Sequence, residues 1–213
     1  MFKKLFAAIL TVGVLGFAGV AQAQEAADAF IKRISQEVLE TAKTDKDIQN
    51  GNQQKILEVV QAKILPNVDF QRMTSLAAGR YWREATPDQQ KRLTEEFRDL
   101  LVYTYAGAIA SIRDQQLEFR PMHNDPADTD VEVRSQVVQQ RGEPIQLNYR
   151  LSKSGNSWKI YDLNVLGAWL VETYKGNFAS EISKGGIDGL IKTLAERNKR
   201  LAAGGIAKSA KPS

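Results

Sequence analysis

Apolar residues along the first half of the chain recur at spacings of three and four. From Ala26 to about Lys43, Ala29/Phe30, Ile34, Val38 and Ala42 share one face with charged residues between them, the pattern of an amphipathic helix. A polar stretch from Asp45 to Gln53 separates it from a second helix bearing Ile56, Val59/Val60 and Ile64, which Leu65-Pro66 closes because proline disfavours helix in the residue before it. Asp69 is placed to cap a third, with Phe70, Met73, Ala77 and Tyr81 on one stripe running to about Glu84. Thr86-Pro87-Asp88-Gln89 supplies an N-cap hydroxyl, a proline at the first helical position and a glutamine three residues on. The helix it opens stays periodic to about Arg113, with Leu93, Phe97, Leu100/Leu101, Ala108 and Ile112 on one face and Val102, Tyr105 and Ile109 beside it. So wide a stripe predicts burial on more than one side.

After Asp114 the period becomes two, which predicts half-buried antiparallel strands. Val131, Val133 and Val137 alternate with polar residues, as do Ile145, Leu147, Tyr149 and Leu151. Gly142 and Gly155 supply hairpin turns between them and the next strand. That strand begins Trp158, Ile160, then its apolar phase slips to Tyr161, Leu163, Val165, which predicts a bulge near Tyr161-Asp162. A strand at Leu117 to Met122 makes about four. Helical spacing returns from Gly167, with Leu170/Val171, Tyr174 and Phe178, and again from Gly185 to about Leu201. Helices, strands, helices in that order predict an α+β fold: N-terminal helices, a four-stranded curved antiparallel sheet and C-terminal helices, with an apolar pocket between sheet and helices.

Composition adds a destination. Lys3 and Lys4 precede an uncharged apolar run from Leu5 to Val20 and the small-residue site Ala21-Gln22-Ala23, the anatomy of a cleavable secretory signal over residues 1–23, cut before Gln24. A single domain over 24–203 and a disordered basic tail over 204–213 are expected to follow. The chain has no cysteine, so its stability comes from its core and not from disulfides. Five basic residues follow Glu196 without an acid among them, and the body before them carries more acid than base, a poor footprint for nucleic acid.

Candidate chemistry is sparse. The one histidine, His123, lies in a polar turn, and no zinc cage or phosphate loop can be assembled. Neither a cofactor nor a metal is expected. Asp162, at the bulge, is the carboxylate that proton abstraction would use; alternatively it accepts hydrogen bonds from backbone groups that the bulge frees. A ketosteroid-isomerase-like enzyme using Asp162 and an interaction module with a filled core stay open beside a carrier of apolar ligands. Periodicity alone does not separate core from ligand lining among Trp82, Tyr103, Tyr105, Trp158, Trp169, Tyr174 and Phe178.

A run of short motifs narrows the field: Arg80-Tyr81-Trp82-Arg83 leading into Ala85-Thr86-Pro87, Phe97-Arg98, Trp158-Lys159-Ile160-Tyr161-Asp162-Leu163, then Gly167, Leu170-Val171, Tyr174, Phe178 and Gly186-Ile187-Asp188-Gly189-Leu190. In this order the chain resembles the MlaC, or toluene-tolerance, family of periplasmic phospholipid-shuttle proteins over nearly all of its length after the signal. The resemblance implies a monomeric, non-enzymatic periplasmic carrier with phospholipid as cargo. It also implies handoff between an outer-membrane lipoprotein-porin complex and an inner-membrane ABC transporter with MCE subunits, which maintains outer-membrane lipid asymmetry. The expected lining is Phe70, Met73, Phe97, Leu101, Tyr105, Ile109, Val133, Leu147, Tyr149, Trp158, Ile160 and Val165. Trp169 stands where the family more commonly has a small polar residue.

Overall fold

The computed structural model describes residues 25–122, 125, 127–140 and 142–205. The expected secretory signal, His123 and the end of the basic tail lie outside the described residues.

Helix α1 (Ala27–Thr44) follows its predicted stripe and buries Phe30, Ile31 and Ile34. The Asp45 carboxylate then accepts the amides of Asp47 and Ile48 and starts α2 (Lys46–Gln49) inside the stretch read as polar. Ile48, alone among charged and amide side chains, is buried there and anchors the turn. Helix α3 (Gln53–Val59), capped by Asn52, widens into a π-helical turn at Val60–Ile64 and tightens into a 3₁₀ turn at Leu65–Asn67.

The Asp69 cap holds: its carboxylate accepts the Arg72 amide at 2.8 Å, opening α4 (Phe70–Ala78). This helix stops short of Tyr81, because Gly79 adopts φ 57° and α5 (Tyr81–Glu84) starts separately. In α6 (Pro87–Tyr105) the expected capping box is complete, with the Gln89 amide donating to Thr86 Oγ1 at 3.2 Å and the Thr86 amide to Gln89 Oε1 at 3.0 Å. The chain continues not as α-helix to Arg113 but as a 3₁₀ segment over Ala106–Ser111. All its side chains but Ile109 are small, which eases the eclipsing of residues three apart in that tighter spiral.

The sheet runs in chain order, β1 (Gln116–Phe119), β2 (Asp130–Val138), β3 (Ile145–Ser154), β4 (Ser157–Val165) and β5 (Ala168–Trp169), every neighbour antiparallel. There are five described strands where four were expected, and β1 ends at Phe119 instead of Met122. The extra strand is held by pairing with β4, through a turn in which Leu166 (φ 54°) and Gly167 (φ 88°) both take positive φ. Two such residues are what a type I′ hairpin demands. Its leucine is also 58% exposed, so Leu166→Asn should stabilise the protein by about 1 kcal/mol, read from urea midpoints. No gain would mean that the leucine makes a contact offsetting its backbone strain.

The bulge falls where the phase slip placed it: Arg150 pairs with Asp162 and Leu151 with Ile160, leaving Tyr161 over. Outside the strands, Val68 forms a parallel bridge with Ile160. Helix α7 (Leu170–Gly204) departs from helical geometry at Gly186 (φ 66°, ψ −171°), so it comprises the two C-terminal helices that were expected. No described helix is long and apolar enough to cross a membrane.

Three apolar clusters result. Helices α4, α6 and α7 enclose the first, centred on Phe97, with Tyr174 and Phe178 edge-on to it at 4.9 Å. Helix α1 closes the second against one face of β2, β3 and β4. The third joins the end of α1, α2, α3 and the 3₁₀ segment after α6.

Candidate functional site

The expected lining residues divide between the two larger clusters. Met73, Phe97 and Leu101 are buried in the helical cluster, with Phe70 and Tyr105 packed on its margin. Val133, Tyr149, Trp158 and Ile160 are buried in the sheet cluster, with Leu147 on its margin. Register explains the second group: Val133 opposes Tyr149, which opposes Leu163, and Leu151 opposes Ile160, so all project from one face. Ile109 instead joins the third cluster, and Val165, half-buried opposite Leu147, belongs to none.

Val68 and Leu163 touch both larger clusters and mark the seam where the sheet layer meets the helical layer. Neither was among the expected lining residues. Leu163 had a signal in the alternation after the bulge; Val68 had none, since its place depends on a bridge to a strand about ninety residues later in the chain.

Few polar groups enter the sheet cluster. The Tyr149 hydroxyl is buried, which pushes it up to about 12, while hydrogen bonds with Ser35 and Ser135 act in the opposite sense. Ser135 Oγ itself donates to the Leu147 carbonyl at 2.5 Å. Among the described residues no group of three or more His, Cys, Asp or Glu side chains is placed to hold a metal ion.

Asp162 points away from this seam. Its strand partner Arg150 and the β5 residue Trp169, opposite Asn164, lie on the outer face, where the Arg150 guanidinium stacks on the Trp169 ring at 3.9 Å. Asp162 Oδ1 accepts the amides of Leu163 (2.9 Å) and Val171 (3.0 Å), and Oδ2 accepts from Arg150 Nη1 (3.3 Å). The carboxylate thus ties the first turn of α7 to the bulge, the backbone-bonding role. Trp169 faces that same outer side and covers Arg150.

Burial pushes the Asp162 carboxyl above its usual range, and the two amides and Arg150 pull it part of the way back. A carboxyl raised on folding binds its proton more tightly in the native state, so its contribution to stability falls as pH rises from the ordinary carboxylate range through the folded value. Asp162→Asn, which keeps an acceptor for the two amides, should therefore flatten the stability profile from the ordinary carboxylate range upward. Parallel wild-type and variant profiles of urea midpoint would contradict this.

With this geometry in place, comparison with known proteins is direct. The MlaC protein family model matches residues 32–196. The intermembrane phospholipid transport system binding protein MlaC of Haemophilus influenzae is 27% identical over 160 residues, covering 70% of this chain and 74% of that protein. The toluene tolerance protein ttg2D of Pseudomonas putida is 26% identical over 159 residues, covering 74% of this chain and 73% of its own. Among solved structures, the phospholipid-binding protein of Ralstonia solanacearum, determined in complex with a phospholipid, superimposes with a TM-score of 0.79 at 48% identity, over 84% of this chain and 99% of that one. With most of its length matched in sequence and its layers matched in space, the chain belongs to the MlaC family.

Proposed function

We propose that this protein is a periplasmic phospholipid carrier that holds the acyl chains of a glycerophospholipid between its sheet and helical layers. It passes the lipid between outer-membrane and inner-membrane complexes. The observation that carries the reading is the likeness, at 48% identity, to a protein solved with a phospholipid. The seam supports it chemically. Its named residues are aliphatic or aromatic, and each methylene moved from water into such surroundings contributes about 0.8 kcal/mol.

Two long chains held this way do not escape into water on a useful timescale, so delivery requires docking to a complex that offers them another apolar path. Because Met73, Phe97, Val133 and Ile160 are packed in the layers' interior, the chains enter as the two layers move apart at the seam marked by Val68 and Leu163. No reaction is part of this reading.

The test is native mass spectrometry of the protein purified from the periplasm without detergent, followed by lipid extraction. A stoichiometric adduct of phospholipid mass is expected. A bare polypeptide that stays bare after incubation with liposomes would replace the carrier with an interaction module.

A further inference from the structure

Thr104 Oγ1 and Asn198 Oδ1 are the two buried side-chain polar atoms that have no hydrogen-bond partner among the described residues. Asn198 is nevertheless tied down, because its Nδ2 donates to the Glu96 carbonyl at 2.9 Å and to Glu96 Oε2 at 2.8 Å. The Thr104 side chain makes no such bond. The other threonines inside helices show what is unusual about it: Thr41, Thr44, Thr74, Thr94 and Thr173 each donate to the carbonyl four residues back, at 2.7, 2.8, 2.6, 2.8 and 2.9 Å. The Leu100 carbonyl is the equivalent acceptor for Thr104, and the hydroxyl does not use it.

Position on α6 sets the direction in which Thr104 points. It follows Phe97 by seven residues, Leu100 by four and Leu101 by three, spacings that put all four on one side of an α-helix. Those three apolar residues are buried in the helical cluster, against which Val68 and Leu163 pack from the seam. Val102 and Tyr103, on the other side of the helix, belong to the third cluster. A hydroxyl is therefore enclosed on the apolar stripe of α6, in its last turn, just before the chain reaches the surface at Ala108. Burying it unpaired destabilises the fold, so its place there points to a bond made with the cargo.

We infer that the Thr104 hydroxyl donates to an acyl-ester carbonyl of the carried lipid and thereby selects ester-linked over ether-linked chains. This rests on the carrier reading above. The ester carbonyls are the polar atoms joined directly to the acyl chains, so they are the ones that travel furthest in when the chains lie among Phe97, Leu100 and Leu101. A carbonyl offers a neutral threonine hydroxyl a strong acceptor that needs no counter-charge. An ether-linked chain has no carbonyl, and it leaves the hydroxyl unpaired.

The test offers delipidated wild-type, Thr104→Val and Thr104→Ser proteins vesicles containing equal amounts of dioleoylphosphatidylglycerol and its di-O-oleyl ether analogue, and reads the bound lipid by native mass spectrometry. Wild type should take up about fivefold more of the ester, the factor that one neutral hydrogen bond gives. Thr104→Val, which keeps the shape without the hydroxyl, should bring the ratio to about one, and Thr104→Ser should restore it. Among the delipidated proteins Thr104→Val should also have a higher urea midpoint than wild type, because it removes a buried unpaired hydroxyl; a lower midpoint would show the hydroxyl paired within the protein and overturn the site. An ester preference that survives in Thr104→Val would mean that the hydroxyl bonds water only, and would overturn the site while leaving the carrier intact. Equal uptake of both lipids by wild type would do the same, as would a preference lost in both variants, which assigns the effect to packing. A wild type that takes up neither lipid would overturn the carrier reading as well.

Discussion

Leu101→Glu is expected to be recovered with at least about tenfold less bound phospholipid than wild type. Leu101 is 7% exposed and shares the helical cluster with Met73 and Phe97. An ionised carboxylate there keeps its hydration only by admitting water to the space the methylenes would take. The same substitution should cost about 2–4 kcal/mol of folding stability, since the charge has no partner in the cluster. Leu101→Met, which keeps volume and polarity, should preserve both lipid and fold. Leu147→Glu approaches the seam from the sheet side at a partly exposed position, so it should lose lipid at a smaller cost in stability. Full lipid content in both glutamate variants, each shown to be folded, would remove these residues from the lining.

Phe97→Ala should produce the largest loss of stability of any single truncation in the helical layer, about 3–5 kcal/mol. The ring is fully buried, with Tyr174 and Phe178 set edge-on to it at centroid distances of 4.9 Å each. Its removal therefore leaves a cavity and takes away two favourable quadrupole contacts. Against a total of about 5–15 kcal/mol for a domain, that is a large fraction. The melting midpoint should fall by roughly 10 °C, with an unchanged denaturant slope. Phe97→Leu should lose less, because most of the volume stays. A loss below about 1 kcal/mol for the alanine variant would mean that the helical cluster does not hold the fold together.

Local chemistry made much of this fold legible in the sequence. Thr86-Pro87-Asp88-Gln89 named the start of α6, Gly155 the turn between β3 and β4, and the phase slip at Tyr161 the bulge. Each is a signal written within a few residues. Segments too short to show a period were not legible. The single turn of α2 depends on one cap at Asp45 and one buried Ile48, and the break at Gly79 is hidden in a stripe that stays apolar through Tyr81.

β5 has two residues and exists because β4 pairs with it. The site was legible to the same degree. Spacing picked out buried members of both larger clusters, since burial and alternation share a cause, but it could not assign Ile109 to a different cluster. Nor could it find Val68 or the outward face of Trp169, both of which depend on contacts between distant parts of the chain.

The bridge at Val68 has a consequence for how copies of this protein meet each other. β4 is nine residues long, and one side of it would be a bare row of amides and carbonyls, a template on which any extended chain could add. Val68 bridges to Ile160, the Asp69 amide donates to the Ile160 carbonyl at 2.8 Å, Lys159 Nζ reaches the Pro66 carbonyl, and β5 takes Asn164 and Val165. Two fragments too small to count as full strands thus blunt both halves of that row. Among the described residues, the edge left open is β1, four residues long with Gln116 and Glu118 exposed along it, continued by residues 130–133 of β2, which β1 does not reach. Strand addition between copies is thereby confined to that other edge, where Glu118, Asp130 and Glu132 stand as carboxylates against a further apolar strand.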